Sequence, residues 1–234
     1  MTIYERALEL VPDGAVVGLG SGRAAWAFVR LLGERVRSGR LRVRGVPTSD
    51  ETARLAEEHG VPLAALGEAG DLAVTVDGAD EVDPNLDLIK GYGRALVREK
   101  IVAASSRRLV ILVGEEKLVP RLGTRGRLPV EVVPFALPLC TRRLEGLGLR
   151  PAVWETNGQP GKTDNGNHIL VCAIDPIPDA AELEAELRAI PGVIDTGLFR
   201  GMADTVLVGD RTDFRMVGER RRMWTPVSPL GSVP

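Results

Sequence analysis

The residues best suited to chemistry lie between Asp77 and Ala104. The apolar, alternating run Leu72 to Val76 predicts a buried strand, and Asp77 to Asp80 reads as a tight turn at its carboxyl end. Ligands bind at that end of the strands in open parallel α/β sheets. Lys90 then begins a second, flexible loop, and Glu99 lies on the helix predicted to follow from Arg94. Two kinds of charge are therefore expected near one sheet edge.

Glu99 has the sequence context of a general base. The residues three and four positions away along the helix are apolar, namely Ala95, Leu96, Val102 and Ala103. A carboxylate on such a face is partly desolvated, which raises its pKa towards the range in which a base works. Each residue also has a purely structural interpretation. Most helical glutamates are surface residues paired with Arg or Lys, and Asp77 alone can be a turn former or a helix cap. Lys90 alone can be an ordinary solvated lysine. Their combination downstream of one buried strand favours a site.

A glycine loop precedes this stretch. The predicted strand Ala15 to Leu19 leads into Gly18 to Gly22, and a helix is predicted from Ala24. Strand, glycine loop and helix form a layout that binds anions through backbone amides and the helix N-terminus. The match to the dinucleotide fingerprint is partial because Arg23 follows the loop and no third glycine appears. A sugar phosphate fits at least as well, and the structural alternative is a plain tight turn.

Two further loops follow predicted strands. After the strand Leu41 to Val46, the loop Pro47 to Asp50 offers hydroxyl groups and caps the helix Glu51 to His59; capping alone and ligand contact are equally good interpretations. After the buried strand Leu109 to Val113, Lys117 lies on the same sheet edge as Asp77. A lone lysine after a strand is usually solvated.

Composition narrows the classes of protein. The 234 residues are 44% apolar and 26% charged, with a formal net charge of −2, which argues against nucleic acid as the main partner. No apolar run approaches the ~20 residues that a membrane helix needs, and the N-terminus lacks a signal-peptide pattern. Cys140 and Cys172 belong to no CxxC motif and read as reduced residues of a cytoplasmic protein. With His59 and His168 as the only histidines, proton transfer must rely on carboxylates and lysines.

The element pattern changes between Leu128 and Phe199, where strands and helices alternate as βαββαβ, ending in a strand from Val193 to Phe199. Thr205 to Val208 should rejoin the first sheet. The predicted fold is α/β, a Rossmann-like open parallel sheet domain (residues 1–127 and 203–218) with an inserted small α+β, ferredoxin-like domain (128–202). Residues 219–234 form a basic, proline-rich tail, read as a flexible end in preference to a contact of its three adjacent arginines with a partner subunit. The polar turn Lys162 to Asn167 is either a hairpin tip or a site contact, and the hairpin is preferred.

The stretch from Asp77 closely resembles the signature of the type A ribose-5-phosphate isomerases: Asp-Gly-Ala-Asp-Glu, Leu-Ile-Lys-Gly-x-Gly and Arg-Glu-Lys-Ile-Val. Further segments match that family in the same order, and they are Gly18 to Gly22, Leu128 to Phe135, Thr163 to Asn167 and Gly197 to Ala203. The likeness covers most of the chain up to about Gly209. Five segments in order make the resemblance specific.

The resemblance implies interconversion of ribose 5-phosphate and ribulose 5-phosphate in the pentose phosphate pathway, without cofactor or metal because lysines supply the positive charge. At matching positions, Glu99 is the base, Lys117 the oxyanion stabiliser with Lys90 nearby, and Asp77 and Asp80 serve hydroxyl contacts, ring opening or proton transfer between oxygens. The other implied substrate-binding residues are Ser21, Gly22, Arg23, Ala24, Gly78, Ala79, Gly91, Tyr92 and Gly93. The family also suggests a homodimer or homotetramer.

Two loops depart from the family pattern. The usual Gly-Thr-Gly-Ser-Thr reads Gly-Ser-Gly-Arg-Ala from Gly20, so that Arg23 either holds phosphate or points to solvent. The usual Lys-Gly-Gly-Gly carries the bulk of Tyr92. Two other interpretations stay open: a non-catalytic sugar-phosphate sensor on the same fold, and a Mg²⁺ or Ca²⁺ loop, although its spacing is not that of an EF-hand. The loop would use Asp77, Asp80, Glu81, Asp83 and Asp87.

Overall fold

The computed structural model describes residues 1–209 and 213–219. In chain order the helices are α1 Ile3–Leu8, α2 Arg23–Arg37, α3 Asp50–Glu58, α4 Leu96–Ala104, α5 Leu137–Gly146 and α6 Ala180–Arg188. The strands are β1 Val16–Leu19, β2 Arg44–Pro47, β3 Val74–Gly78, β4 Glu81–Val82, β5 Leu88–Ile89, β6 Leu109–Val113, β7 Arg127–Val132, β8 Arg150–Val153, β9 Glu155–Thr156, β10 Gln159–Pro160, β11 His168–Ala173, β12 Val193–Thr196, β13 Leu198–Phe199, β14 Thr205–Gly209 and β15 Phe214–Glu219. Short 3₁₀ turns span Leu66–Glu68, Glu115–Lys117 and Pro134–Ala136.

The larger sheet has the strand order β15-β14-β6-β3-β1-β2, and its strands are parallel except for the antiparallel β15 at one edge. Every residue of β1 and β6 is buried, as expected for parallel strands covered on both faces. The chain passes from β1 to β2 on one side and returns to β3 on the other, so that the strand order reverses between β1 and β3. Such a switch point opens a crevice at the carboxyl ends of the strands.

Helix α2 covers one face of this sheet through an apolar stripe. Phe28, Val29 and Leu32 are fully buried in the same core cluster as Leu19 of β1 and Val76 of β3. Their spacing of three and four residues places them on one side of the helix. Burying each of these three side chains contributes roughly 1.5–3 kcal/mol to folding. This packing holds α2 on the face of the sheet, with its N-terminus at the carboxyl end of β1.

The smaller sheet has the antiparallel order β12-β7-β11-β8, with α5 and α6 in the connections. The element order is β7, α5, β8, β11, α6, β12, interrupted by the β9–β10 hairpin. Its core contains Val130, Cys140, Leu170 and Leu187 among others. The predicted fold class, a parallel α/β sheet with a βαββαβ unit, is confirmed, while the residue limits of the two domains stay a prediction.

The predicted strand from Val193 to Phe199 is wrong, because it breaks at Gly197. A Cβ atom there would lie 2.4 Å from the Lys90 carbonyl oxygen, so that only glycine permits this close approach. Residues before the break pair with β7, and Leu198 and Phe199 pair instead with β5 in a three-stranded sheet with β4. The Lys90 N–H donates to the Gly197 carbonyl at 2.9 Å, which anchors the backbone of the second loop.

Other predicted limits shift by one to three residues. Helix α4 begins at Leu96 rather than Arg94, whose φ of 66° is left-handed and cannot belong to an α-helix. Strand β2 begins at Arg44 rather than Leu41, and β3 includes Asp77 and Gly78, which were predicted as a turn. Strand β3 extends beyond the predicted end because its pairing with β6 continues as far as Gly78.

Strand β15 continues the larger sheet through the end of the segment predicted for that domain, residues 203–218. Its residue Phe214 packs against the core of the larger sheet, and Arg215 forms an ion pair with Glu115 at 2.8 Å. Residues 210–212 and 220–234, and with them most of the predicted flexible tail, lie outside the described residues. None of the helices in the described part of the chain is long and apolar enough to cross a membrane.

Candidate active site

A cavity of about 560 Å³ opens at the strand-order switch of the larger sheet. Its walls come from the loops that follow β1, β3 and β6, together with the second loop and α4. The predicted site residues in its lining are Ser21, Gly22, Arg23, Ala24, Gly78, Ala79, Asp80, Lys90, Gly91, Gly93, Glu99 and Lys117. Segments that are distant in the chain therefore meet in one cavity.

Glu99, Lys90 and Asp77 form a buried charge cluster at the floor of the cavity. Their exposed fractions are 3%, 3% and 1%. The ammonium group of Lys90 lies 3.0 Å from Asp77 Oδ2 and 3.4 Å from Glu99 Oε2, and it donates to the Gly78 carbonyl at 2.6 Å. One cation thus faces two carboxylates, because the sequence places Lys90 on a loop between the strand that ends in Asp77 and the helix that carries Glu99.

The environment of Glu99 disfavours its charged form. Burial, together with the nearby carboxylates of Asp77 and Asp80, raises the pKa of Glu99 to about 8 against the opposing attraction of Lys90. The sequence prediction that this carboxylate is desolvated is therefore confirmed in direction. Glu99 Oε2 is buried without a hydrogen bond in the described residues, and it faces the Lys90 ammonium group in an ion pair at 3.4 Å.

Asp77 and Lys90 respond differently to burial. Burial raises the pKa of Asp77, although Lys90 and the N–H groups of Gly78 and Ser21, both donating to Oδ1, oppose that rise. Burial alone would lower the pKa of Lys90, but Asp77 and Glu99 reverse this and raise the pKa above its usual range. Both carboxylates thus depend on the charge of Lys90, and Asp77 has two backbone N–H donors besides.

Asp80 and Lys117 lie at a second position of the same cavity. Asp80 Oδ2 accepts the Tyr92 N–H at 3.0 Å, and burial raises the pKa of Asp80 while Lys90 and Lys117 act to lower it. Lys117 ends a single 3₁₀ turn after β6, where its N–H donates to the Gly114 carbonyl at 3.0 Å. The parallel strands β3 and β6 are neighbours, which brings Lys117 to the sheet edge that carries Asp77, as predicted, and Asp80 lies at the same edge.

The glycine loop after β1 is shaped by close packing on Asp77. A Cβ atom at Gly20 would lie 2.3 Å from the Asp77 carboxyl carbon, and Gly22 has a φ of 94° before α2 begins. The Ser21 hydroxyl contacts the hydroxyl groups of Thr48 at 2.8 Å and Ser49 at 2.7 Å. Ser49 also caps α3 by accepting the Thr52 N–H, as predicted for this loop, so that capping and packing on Ser21 occur together.

Arg23 stands at the start of α2 on the wall of the cavity, and Arg30 lies two turns further along the same wall. Both side chains are exposed, and neither has an ion-pair partner in residues 1–209 and 213–219. Together with the N-terminus of α2, the two guanidinium groups make this end of the cavity favourable for an anion.

Two predicted site residues lie outside the lining. Asp77 lies beneath the cavity floor and acts there through Lys90 and the glycine loop. The side chain of Tyr92 was expected to add bulk to the pocket, but it packs against the core of the smaller sheet and its hydroxyl donates to the Arg127 carbonyl at 3.2 Å. Only the backbone of Tyr92 serves the site, through its bond to Asp80.

Several lining residues were missed in the sequence: Tyr4, Trp26, Ala27, Arg30, Leu112, Val113, Gly114 and Glu116. Trp26, Ala27 and Arg30 are three, four and seven residues beyond Arg23, so that helical spacing from the glycine loop could have found them. Nothing local to Tyr4 on α1 pointed to the cavity.

The acidic residues of the proposed Mg²⁺ or Ca²⁺ loop are directed to different partners. The Glu81 carboxylate accepts the N–H groups of Gly123 and Arg125, and Asp83 accepts those of Asn85 and Asp87. Within the described ranges, no three His, Cys, Asp or Glu side chains are grouped to hold a metal ion. The loop therefore gives the metal interpretation no geometric support.

Comparison with known proteins gives a consistent result. A family model described as "Ribose 5-phosphate isomerase A (phosphoriboisomerase A)" matches residues 44–213. The chain is 53% identical over 210 residues to ribose-5-phosphate isomerase A of Gloeobacter violaceus, covering 89% of this chain and 91% of that protein. It is 50% identical over 206 residues to ribose-5-phosphate isomerase A of Roseiflexus castenholzii, covering 87% and 88%.

Solved structures agree with the sequence comparison. The fold matches ribose 5-phosphate isomerase A from Methanocaldococcus jannaschii with a TM-score of 0.87 and 40% identity, covering 93% of this chain and 97% of the other. It also matches a D-ribose-5-phosphate isomerase in complex with phospho-erythronic acid, with a TM-score of 0.88, 40% identity and coverage of 93% and 96%. That second protein binds a small acid that carries a phosphate group.

Proposed function

The chain belongs to the ribose 5-phosphate isomerase A family and interconverts D-ribose 5-phosphate and D-ribulose 5-phosphate, and we propose that it does so in the cavity around Glu99. The comparisons give no support to the alternative of a non-catalytic sensor. The observation that carries the site assignment is the buried Glu99 carboxylate, which lies 3.4 Å from the Lys90 ammonium group and lines the cavity.

The reaction moves a proton between C1 and C2 of the opened sugar through an enediolate. It needs a base beside the carbon, a positive charge near the developing oxyanion, and a group that moves a proton between two oxygens. We assign the base to Glu99, whose raised pKa suits proton transfer near neutral pH. Lys117 stabilises the oxyanion, and Asp80 contacts the sugar hydroxyls and assists ring opening and proton transfer between the oxygens.

Lys90 and Asp77 prepare the base. A fully buried carboxyl group without a nearby cation would stay protonated at all working pH values, because burial makes its ionisation costly. The positive charge of Lys90 lowers this cost enough for Glu99 to ionise. Asp77 holds Lys90 by a 3.0 Å ion pair and accepts the N–H groups that shape the glycine loop. The lysines supply the positive charge of the site, and the proposed mechanism uses no cofactor or metal.

The phosphate group is assigned to the end of the cavity near the glycine loop. The N-terminus of α2 and the exposed guanidinium group of Arg23 would face an anion there, with Arg30 further along the helix. At Arg23 and Ala24 this chain lacks two hydroxyl groups that the family usually presents, and the Arg23 guanidinium group supplies a cation there. We also propose that the protein is cytoplasmic, with Cys140 and Cys172 reduced and buried, and that it forms a homodimer or homotetramer.

Incubating the full chain with ribose 5-phosphate and following ketose formation by NMR tests the proposal. We expect ribulose 5-phosphate to accumulate to an equilibrium that is reached from either sugar. Saturable binding of ribose 5-phosphate without any ketose would favour the sensor and contradict the proposed activity.

The pH dependence of the reaction should report the ionisation of Glu99. Because only the carboxylate form accepts a proton and its pKa is raised to about 8, the active fraction grows as the pH rises. We expect kcat/KM to rise with pH, to be half-maximal near pH 8 and to level off above it. A rise of kcat/KM centred near pH 4.5, the ordinary pKa of glutamate, would show that the buried cluster does not set the pH dependence of catalysis.

Replacing Lys117 with alanine should lower kcat strongly, by about 10²–10³-fold, because one well-placed oxyanion donor contributes that much. Lys117 is half-buried and makes no ion pair within residues 1–209 and 213–219, so the thermal unfolding of the variant should resemble wild type. Steady-state kinetics and a melting curve check both expectations. A variant with lower stability but unchanged kcat would show that Lys117 is an ordinary solvated lysine with no part in catalysis.

A further inference from the structure

Helix α4 determines where Glu99 stands. Glu99 lies in the first turn of α4, and no side chain caps the N-terminus of this helix. The side-chain oxygen Glu99 Oε2 is buried and pairs with the Lys90 ammonium group at 3.4 Å. Besides this ion pair, the position of the carboxylate depends on the contacts that hold the helix backbone, and the residues on either side of Glu99 supply them.

Arg98 connects α4 to two other segments. Its Nε donates to Asn165 Oδ1 at 2.9 Å, and its Nη2 donates to the Asp164 carbonyl at 2.7 Å, both in the turn Thr163–Asn167. Its Nη1 donates to Asp50 Oδ1 at 2.7 Å at the start of α3. A planar guanidinium group with three separate acceptors fixes both the height and the rotation of the helix that carries it.

The turn Thr163–Asn167 is itself anchored in the smaller sheet. Glu131 of β7 is fully buried, and its Oε1 accepts the Thr163 hydroxyl at 3.0 Å, the Asn167 amide at 2.9 Å and the Asn165 amide at 3.4 Å. The Asn165 side chain therefore donates to Glu131 and accepts from Arg98. A continuous series of hydrogen bonds leads from the smaller sheet to the helix of the base.

Lys100 holds the other side of α4. Its ammonium group donates to the Asp195 carboxylate and to the Thr196 carbonyl, and it lies 4.8 Å from the centre of the Phe199 ring. Lys90 lies 5.5 Å from the same ring. Because Arg98 and Lys100 are the immediate neighbours of Glu99, the helix is fixed on two sides of the base.

We propose that the turn Thr163–Asn167, acting through Arg98, positions Glu99 for proton abstraction. Arg98 does not line the cavity and is a positioning residue, not a catalytic one. The inference rests on the proposed role of Glu99 as the base. Misplacing a reacting group by about 1 Å can cost about 10²-fold in rate, so that loss of this anchoring should appear in catalysis.

The test uses Arg98→Met and Asn165→Ala in the full chain, with Arg42→Met as control. Arg42 forms an exposed ion pair with Asp13 away from the cavity. We expect both variants to lower kcat by about ten- to hundredfold while KM for ribose 5-phosphate stays within about twofold, because the phosphate end is untouched. The ascending limb of the pH profile should shift as well, since the distance between Glu99 and Lys90 changes.

The double variant separates positioning from unrelated damage. If Arg98 and Asn165 act through one contact, the double variant should lose no more activity than the stronger single variant. The inference would be overturned if the fold-loss in kcat of the double variant equalled the product of the two single losses. It would also be overturned if Arg98→Met kept the kcat and pH profile of wild type. Should Arg98→Met fold poorly in a melting experiment, Asn165→Ala, which removes an exposed side chain, decides the question by the same kinetic criteria.

The inference and the proposed function fail in different ways. A wild-type protein that makes no ketose, or a Glu99→Gln variant with full activity, would overturn the function and with it this inference. An active wild type and an inactive Glu99→Gln variant, together with an Arg98→Met variant that behaves as wild type, would overturn the positioning role alone.

Discussion

Replacing Glu99 with glutamine is expected to lower kcat by about 10²–10⁴-fold, the usual contribution of a positioned general base. Glutamine keeps the shape of the side chain but cannot accept the proton from carbon. Binding of the sugar phosphate should persist, because the expected phosphate contacts lie at Arg23 and the start of α2. Steady-state kinetics give kcat, and calorimetric titration with ribose 5-phosphate gives the affinity.

A matched control is Glu57→Gln, an exposed glutamate on α3 outside the cavity lining. It makes the same chemical change without touching the charge cluster, and it should keep wild-type kinetics. If Glu99→Gln and Glu57→Gln both turn over like wild type, the base is another residue. If Glu99→Gln no longer binds the sugar, its loss of turnover reflects binding and the assignment fails.

Replacing Lys90 with methionine should be the most destabilising single change at the site. Methionine fills similar space but leaves Asp77 and Glu99 buried without their cation, and breaking a buried ion pair in this way typically costs about 3–5 kcal/mol. The free energy of unfolding, measured by urea titration, should fall by that order. Turnover should be lost too, because Glu99 then stays protonated.

The pH dependence of this variant identifies the cause. Without Lys90, the native carboxylates bind protons more tightly than the unfolded chain, so that unfolding free energy decreases as the pH rises above about 4.5. We therefore expect a smaller loss of stability at pH 5 than at pH 8. The exposed pair of Arg42 and Asp13 gives the contrast, because Arg42→Met should change stability little. Equal losses in both variants would show that the buried cluster contributes no more than a surface pair.

The sequence predicted those parts of the site that depend on local pattern. Asp77 and Lys117 each follow a buried apolar strand, and neighbouring parallel strands bring their carboxyl ends to one edge. Glu99 was predicted from its apolar helical neighbours, and its burial and raised pKa follow from that pattern. The anion-binding layout of the glycine loop was likewise readable from strand, glycines and helix.

Features that depend on contacts between distant segments could not be predicted. Nothing near Lys90 indicated that its side chain would lie between Asp77 and Glu99, and the bond from Arg98 to Asn165 joins residues 67 positions apart. The break at Gly197 arises from the close approach of Lys90, and Tyr92 turns away because the smaller sheet offers it an apolar surface. Tertiary packing decided these points against equally good local alternatives.

The central claim is that Glu99 removes the hydrogen from carbon, and hydrogen exchange with solvent tests it most directly. Ribose 5-phosphate would be incubated in D₂O with wild type or Glu99→Gln at equal concentration, and deuterium at C1 of the ketose and C2 of the aldose followed by NMR. The account predicts that wild type incorporates deuterium and that Glu99→Gln does so at least about 10²-fold more slowly. Incorporation by Glu99→Gln at the wild-type rate would contradict it.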